Sequence, residues 1–292
     1  MPTRHTIKTI LKDHQLAPSK RFGQNFLVNE QIVEAILDRA APDPDDTIIE
    51  FGVGLGSLTI PLARRVKRVI GIEIDSGLVR WHEEQQILPS HVTLLHEDLL
   101  KTDFSRLALE SGGPIKIIAN LPYSISNPLL FKLIEQKEHI ESAVLMLQKE
   151  VAERLVAQPR SKAYGVLSVL LGACASLEAL LKVGPEQFHP RPKVDSMVVR
   201  IRFQPIPAAV RDLQGFSPAL LKALVKGAFQ QRRKTIINAL ASAAVGTSDK
   251  EVIGRHLLAA GIELNRRADQ ITVREYIALS RAYEKTHDEV RV

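Results

Sequence analysis

Four residues, Asn120-Leu121-Pro122-Tyr123, follow directly on the apolar run Ile117-Ile118-Ala119. The side-chain carbonyl of Asn120 and the main-chain carbonyl of Leu121 are two acceptors, a match for the two hydrogens of an exocyclic amine. An amine on a nucleobase is a poor nucleophile because its lone pair is delocalised into the ring. Two acceptors would localise that pair and aim it at an electrophilic methyl. No strong base is needed before attack, since the ammonium product can lose its proton afterwards. Pro122 stiffens the turn, and Tyr123 offers a ring on which a base can stack, worth roughly 1–3 kcal/mol. Alone, the tetrad describes a turn with a half-buried tyrosine equally well, so its neighbours must decide.

Three other apolar runs end in compatible residues. The first ends in Glu50-Phe51-Gly52-Val53-Gly54-Leu55-Gly56, with a helix starting near Ser57–Ile60. Glycines there let the backbone approach a ligand beside helix N–H groups. The second ends in Gly71-Ile72-Glu73-Ile74-Asp75, which sets Glu73 21 residues after Gly52. A carboxylate at that distance grips ribose hydroxyls in dinucleotide-binding folds. The third glycine or alanine of the dinucleotide fingerprint is replaced by Ser57, so a nucleoside is favoured and NAD is not specified. The third run ends in Glu97-Asp98, where Asp98 fits either an adenine amino group or a helix N-cap.

These residues need a scaffold. The runs 47–52, 68–75, 92–98, 115–122 and 142–147 are rich in Ile, Val and Leu on both faces, and helix-length segments lie between most of them. That texture predicts an α/β fold with a doubly wound, mostly parallel sheet. Asn29 is the expected N-cap of a helix over 30–40. The runs 165–175 and 196–203 are expected to pair antiparallel at the sheet edge. After residue 205 strand-like runs stop. A domain of residues 1–205, including a basic arm over 1–21, should therefore precede an all-α domain of residues 206–292. Ser217-Pro218 is the expected start of a helix running towards Ala241.

Charge is uneven: residues 1–21 carry a net +4, residues 22–205 a net −3 and residues 206–292 a net +5. Two basic ends suit a polyanion such as nucleic acid. No secretory signal is expected at the N-terminus, which lacks an apolar run, and the run 163–177 is too short to cross a bilayer. Cys174 sits among small and apolar neighbours as a core residue. A single cysteine suits a cytoplasmic location. Nine histidines form no His-Glu-x-x-His pattern or Cys/His ligand cluster, so no metal site is expected. Phe188-His189-Pro190-Arg191-Pro192 is a stiff segment whose Phe188 fits the core or a cover over a flipped base.

Together these stretches resemble the small-subunit ribosomal RNA adenine dimethyltransferase family (KsgA/RsmA). The segments that carry the likeness are 20–27 (KRFGQNFL), 50–59 (EFGVGLGSLT), 71–75 (GIEID), 120–123 (NLPY), 147–155 (LQKEVAERL), 188–196 (FHPRPKVDS) and 228–240 (AFQQRRKTIINAL). The last is the most specific, and Val53 departs from the proline usual there. The resemblance implies a Rossmann-like class I methyltransferase sheet with S-adenosylmethionine as methyl donor. It implies cofactor contacts from Asn25, Leu27, Gly52, Glu73, Asp98 and Asn120. Asn120 and Leu121 would hold the target amine, with the adenine sandwiched by Tyr123 and Phe188. The expected substrate is a pair of adjacent adenosines in the last hairpin loop of 16S rRNA, each dimethylated at N6, with the enzyme a monomer. Arg232, Arg233 and Lys234, read as consecutive helical residues, would fan around a helix, some gripping RNA and at least one structural. The alternatives are an Erm-like large-subunit RNA methyltransferase, a protein glutamine methyltransferase, and an assembly factor on the same scaffold.

Overall fold

The structure is a computed structural model that describes residues 4–14, 24–212 and 215–289. The basic arm and the segment 20–27 therefore lie partly outside the described residues. In chain order the first part runs α1 (Arg4–Asp13), β1 (Phe26–Leu27), α2 (Glu30–Ala40), β2 (Thr47–Phe51), α3 (Thr59–Ala63), β3 (Arg68–Glu73), α4 (Ser76–Gln85), β4 (Val92–His96), α5 (Phe104–Ser111), β5 (Ile115–Asn120), α6 (Ser126–Glu135) and β6 (Ile140–Gln148). Then come α7 (Lys149–Leu155), α8 (Val166–Gly172), β7 (Ser176–Val183), β8 (Phe188–His189) and β9 (Ser196–Arg202). Four helices and a long terminal one follow: α9 (Ala208–Arg211), α10 (Pro218–Gln230), α11 (Ile236–Ala243), α12 (Lys250–Ala259) and α13 (Val273–Glu289).

Seven strands form one sheet in the order β4-β3-β2-β5-β6-β9-β7. The pairs β2–β3, β3–β4, β2–β5 and β5–β6 are parallel, and β6–β9 is antiparallel. The direction of winding reverses between β2 and β5. The crevice beyond the carboxyl ends of those two strands is where such sheets take their ligands. Central strands are buried on both faces: Ile48, Ile49 and Phe51 of β2 and Ile117, Ile118 and Ala119 of β5 are all core residues. Burying each large apolar side chain contributes about 1.5–3 kcal/mol before entropy is counted. Asn29 caps α2 as expected, its side chain accepting from Gln31 N at 2.9 Å. Val53 fits because Gly71 leaves it room; a Cβ on Gly71 would lie 2.4 Å from Val53 Cγ2.

Two compact units make up the chain, Met1–Ala152 with Glu178–Gln204 and Glu153–Leu177 with Pro205–Val292. Residues 153–177, expected in the first domain, thus belong to the helical unit. The reason is the run 165–175, which is not a strand. Its segment Val166–Gly172 is α8, packed against α10 and α13, with Val273 over Gly172 so closely that a Cβ there would meet it at 2.9 Å. A short run apolar on both faces fits a buried helix or a buried strand equally. The edge strand next to β9 is instead Ser176–Val183, much of it exposed. Cys174 is only half-buried, its thiol donating to Leu170 O at 3.3 Å.

The helix begun by Ser217-Pro218 also ends sooner than expected. Ser217 Oγ accepts from Leu220 N at 3.2 Å, but α10 stops at Gln230. A turn over 231–235 follows, pinned by a bridge between Thr235 and Arg267. Arg232, Arg233 and Lys234 therefore sit in a turn, not on a helix. Tertiary bonds made by Arg232 and Thr235 outweigh local helix propensity there.

Candidate active site

Residues from the ends of four strands, with β1 alongside, line one open cleft, including Gly52 and Gly54 after β2, Glu73 ending β3, Asp98 after β4 and Asn120 ending β5. Gly52 has φ +77° and donates its N–H to Ile72 O at 2.9 Å. A Cβ on it would stand 3.7 Å from Asn120 O and 4.0 Å from Pro122 Cδ, inside the space the cleft leaves open. Gly54 has φ +58°, and a Cβ there would press on the Phe26 ring at 3.2 Å. Side chains at either position would fill the cradle and strain the turn.

Glu73 is buried and accepts three main-chain N–H bonds. Its Oε2 takes Gly54 N at 2.9 Å, and its Oε1 takes Ile74 N and Asp75 N, each at 3.0 Å. Burial raises its pKa, while those N–H bonds oppose the rise. Glu73 thus braces the glycine loop while forming part of the cleft wall. Asp98 lies in the same wall, its Oδ1 accepting from Leu100 N at 2.9 Å, so it caps its own turn as well as facing the cleft.

The Asn120 side chain is oriented by the residue just before β1. Its Nδ2 donates to Asn25 O at 3.1 Å, which leaves Oδ1 as the acceptor end. Asn25 and Leu27 both line the cleft, and Leu27 is buried in the core beneath it. Leu121 lines it too, buried and tied to Met146 O through its N–H. Tyr123 stands outside this wall, half-buried, its hydroxyl 2.7 Å from Ser196 Oγ. Burial raises its pKa, so the ring stays a neutral phenol at pH 7. The structure does not bring Phe188 to the cleft. It is 1% exposed, paired with Leu27 across the β1–β8 bridge and packed in the main core.

One wall residue was not singled out from sequence. Glu50, on β2, is 1% exposed, and its Oε2 has no hydrogen-bond partner among the described residues. Burial pushes its carboxyl up to about 8, with nearby Glu73 adding to the rise. Thr59 beside it opposes that rise, and an unmet oxygen on a buried carboxyl is costly unless a ligand or water meets it. Its signal in the sequence is a carboxylate inside a strand that is otherwise apolar on both faces. Ser57 Oγ is a second partnerless polar atom in the same wall. Among the described residues no group of three or more His, Cys, Asp or Glu is arranged to hold a metal ion, and no helix is long and apolar enough to cross a membrane.

A glycine loop, a buried carboxylate and an oriented amide now stand on one sheet edge, and comparison with known proteins gives the chain a family. The sequence model of the ribosomal RNA adenine dimethylases matches residues 16–285. The chain belongs to that family. A ribosomal RNA small subunit methyltransferase A from Desulfotalea psychrophila is 46% identical over 285 residues, spanning 95% of each chain. The same enzyme from Alkaliphilus metalliredigens is 40% identical over 94% of each. Among solved structures, a dimethyladenosine transferase from Plasmodium falciparum superposes with a TM-score of 0.71 at 25% identity, covering 90% of this chain and 98% of that one. The 23S rRNA methyltransferase ErmE shares the fold, with a TM-score of 0.64 at 23% identity. As a ribosomal RNA adenine dimethylase, this chain is a methyltransferase whose relatives match it through the helical unit as well as the sheet.

Within the helical unit the three consecutive basic residues differ in their surroundings. Arg232 donates from Nη1 to Lys162 O at 2.8 Å and from Nη2 to Ser161 O at 3.0 Å and Asp269 Oδ2 at 3.4 Å. Arg233 and Lys234 are exposed.

Proposed function

We propose that this cleft binds S-adenosylmethionine and that the enzyme methylates N6 of two adjacent adenosines in the 3′-terminal hairpin loop of 16S rRNA, placing two methyls on each. The observation that carries the reading is the oriented amide of Asn120 beside the Gly52 cradle, at the point where the sheet reverses its winding. The wall fits such a cofactor. The glycines that leave the backbone bare line the same cleft as Glu50 and Ser57, each of which has a side-chain oxygen without a partner among the described residues. When bound, S-adenosylmethionine supplies a methyl group made electrophilic by its sulfonium.

The chain's own groups do the rest. Glu73 keeps a free lone pair on Oε2 for a ribose hydroxyl, and Asp98 receives an adenine amino group. Asn120 Oδ1 and Leu121 O accept the two hydrogens of the target amine and turn its lone pair outward. After transfer the ammonium proton leaves to solvent, so no strong general base is needed. Tyr123, its ring fixed through Ser196, stacks on a base that has left its helix. Phe188 serves from behind, holding Leu27 in place. Exposed Arg233 and Lys234 meet RNA phosphates. The enzyme acts as a cytoplasmic monomer during small-subunit assembly.

The test is to incubate the protein and labelled S-adenosylmethionine with unmethylated small subunits, large subunits and bulk protein. Label should appear in small-subunit RNA, confined to the terminal hairpin. Label in large-subunit RNA or protein alone would overturn the reading. Small-subunit binding without any transfer would favour an assembly factor.

A further inference from the structure

His82, on α4, is 3% exposed and stands behind the glycine loop rather than in the cleft wall. Its Nε2 lies 2.8 Å from Gly54 O. A carbonyl only accepts, so Nε2 carries the proton and Nδ1 holds a lone pair, which is buried without a partner among the described residues. Burial lowers the pKa of the ring and keeps it neutral. The ring lies edge-on to Trp81, their centroids 4.7 Å apart. Gly54 also donates its N–H to Glu73 Oε2 at 2.9 Å. Both polar ends of Gly54 are thus held, the N–H by β3 and the carbonyl by α4.

The consequence falls on the next residue. A trans peptide points its N–H opposite to its C=O. Because Gly54 O is turned to α4, Leu55 N–H is turned away from α4, and Leu55 is one of the residues that line the cleft. That N–H has no acceptor among the described residues. Gly54, at φ +58°, lacks the Cβ that would resist rotation of this peptide. We propose that His82 is a positioning residue that locks the Gly54–Leu55 peptide so that Leu55 N–H is presented to an acceptor oxygen or nitrogen of the bound nucleoside cofactor. This rests on the S-adenosylmethionine reading of the cleft.

Two variants separate donor from bulk. His82→Leu keeps an apolar side chain of similar size and removes the N–H. His82→Gln restores an amide donor of similar reach. By calorimetry with S-adenosylhomocysteine, His82→Leu should bind about ten-fold more weakly, and His82→Gln should recover to within about three-fold of wild type. In turnover, KM for the methyl donor should rise by the same factor while kcat falls by less. In the cofactor-free protein, the Gly54 carbonyl carbon and Leu55 amide nitrogen resonances should shift in His82→Leu and return in His82→Gln. Equal affinity of His82→Leu and wild type, or no rescue by His82→Gln, would overturn the proposal. If His82→Leu does not fold, His82→Asn, whose amide is too short to reach Gly54 O, takes its place. A wild-type protein that fails to bind S-adenosylhomocysteine would overturn the cofactor reading instead, and the Gly54 carbonyl resonance would still decide the role of His82.

Discussion

Asn120 can accept an amine because something else has taken its own amide. With Nδ2 committed to Asn25 O, rotation that would exchange its oxygen and nitrogen costs a hydrogen bond. Asn120→Ala is therefore expected to lower methyl transfer by roughly 10²–10³-fold, as loss of an oriented polar group at a reaction centre does. S-adenosylhomocysteine binding should stay measurable by calorimetry, and unchanged turnover would remove the proposed role. Glu50 sets a different test. Its carboxyl, pushed up to about 8 by burial, keeps a proton in the folded chain that the unfolded chain has already released. Stability from this group is complete below the ordinary carboxylate range and falls as pH climbs towards 8, by at most about 1.4 kcal/mol per pH unit. Glu50→Gln keeps the neutral shape without the titration. Between about pH 5 and pH 8 the Tm of cofactor-free wild type should fall relative to that of Glu50→Gln. Melting curves that stay parallel would show that Glu50 does not hold its proton.

The turn between α10 and α11 shows how one element can give three like residues unlike roles. Arg232 satisfies two main-chain carbonyls of the 158–164 segment and reaches Asp269, whereas Arg233 and Lys234 face solvent. Arg232→Met should cost about 1–3 kcal/mol, read as a lower Tm, because those carbonyls lose a charged donor. Arg233→Gln should leave the Tm unchanged and weaken RNA binding. The slope of log affinity against log salt should become shallower by roughly 0.7–0.9 for each phosphate no longer neutralised. A lower Tm for Arg233→Gln with an unaltered salt slope would reverse the assignment.

The helical unit is built from two stretches of chain, Glu153–Leu177 and Pro205–Val292. The earlier stretch supplies essential partners: Tyr164 OH donates to Ile271 O at 3.0 Å, and its ring meets Phe229 with centroids 6.2 Å apart. Phe229 in turn stacks on Tyr276. A fragment of residues 205–292 lacks α8 and Tyr164 and should fail to fold, giving collapsed amide dispersion by NMR. A well-dispersed spectrum from that fragment would show the later stretch to be self-sufficient.

The sequence by itself determined the local parts of this protein. Both-face apolar runs specified the five parallel strands, Asn29 and Ser217 the starts of their helices, and glycines with Glu73, Asp98 and Asn120 the strand ends that meet in the cleft. Each is written within a few neighbouring residues. Only the tertiary structure decided what depends on distant partners. The run 165–175 became a helix because α10 and α13 cover it, and the helix after Ser217 broke where Arg232 and Thr235 found bonds elsewhere. Phe188 went to the core through pairing with β1. The Glu50 carboxyl is pushed up to about 8, and His82 gains its grip on Gly54, through burial and packing that no single stretch of sequence contains. Short-range chemistry names the groups, but burial and pairing across long chain separations set which way they point and what charge they carry.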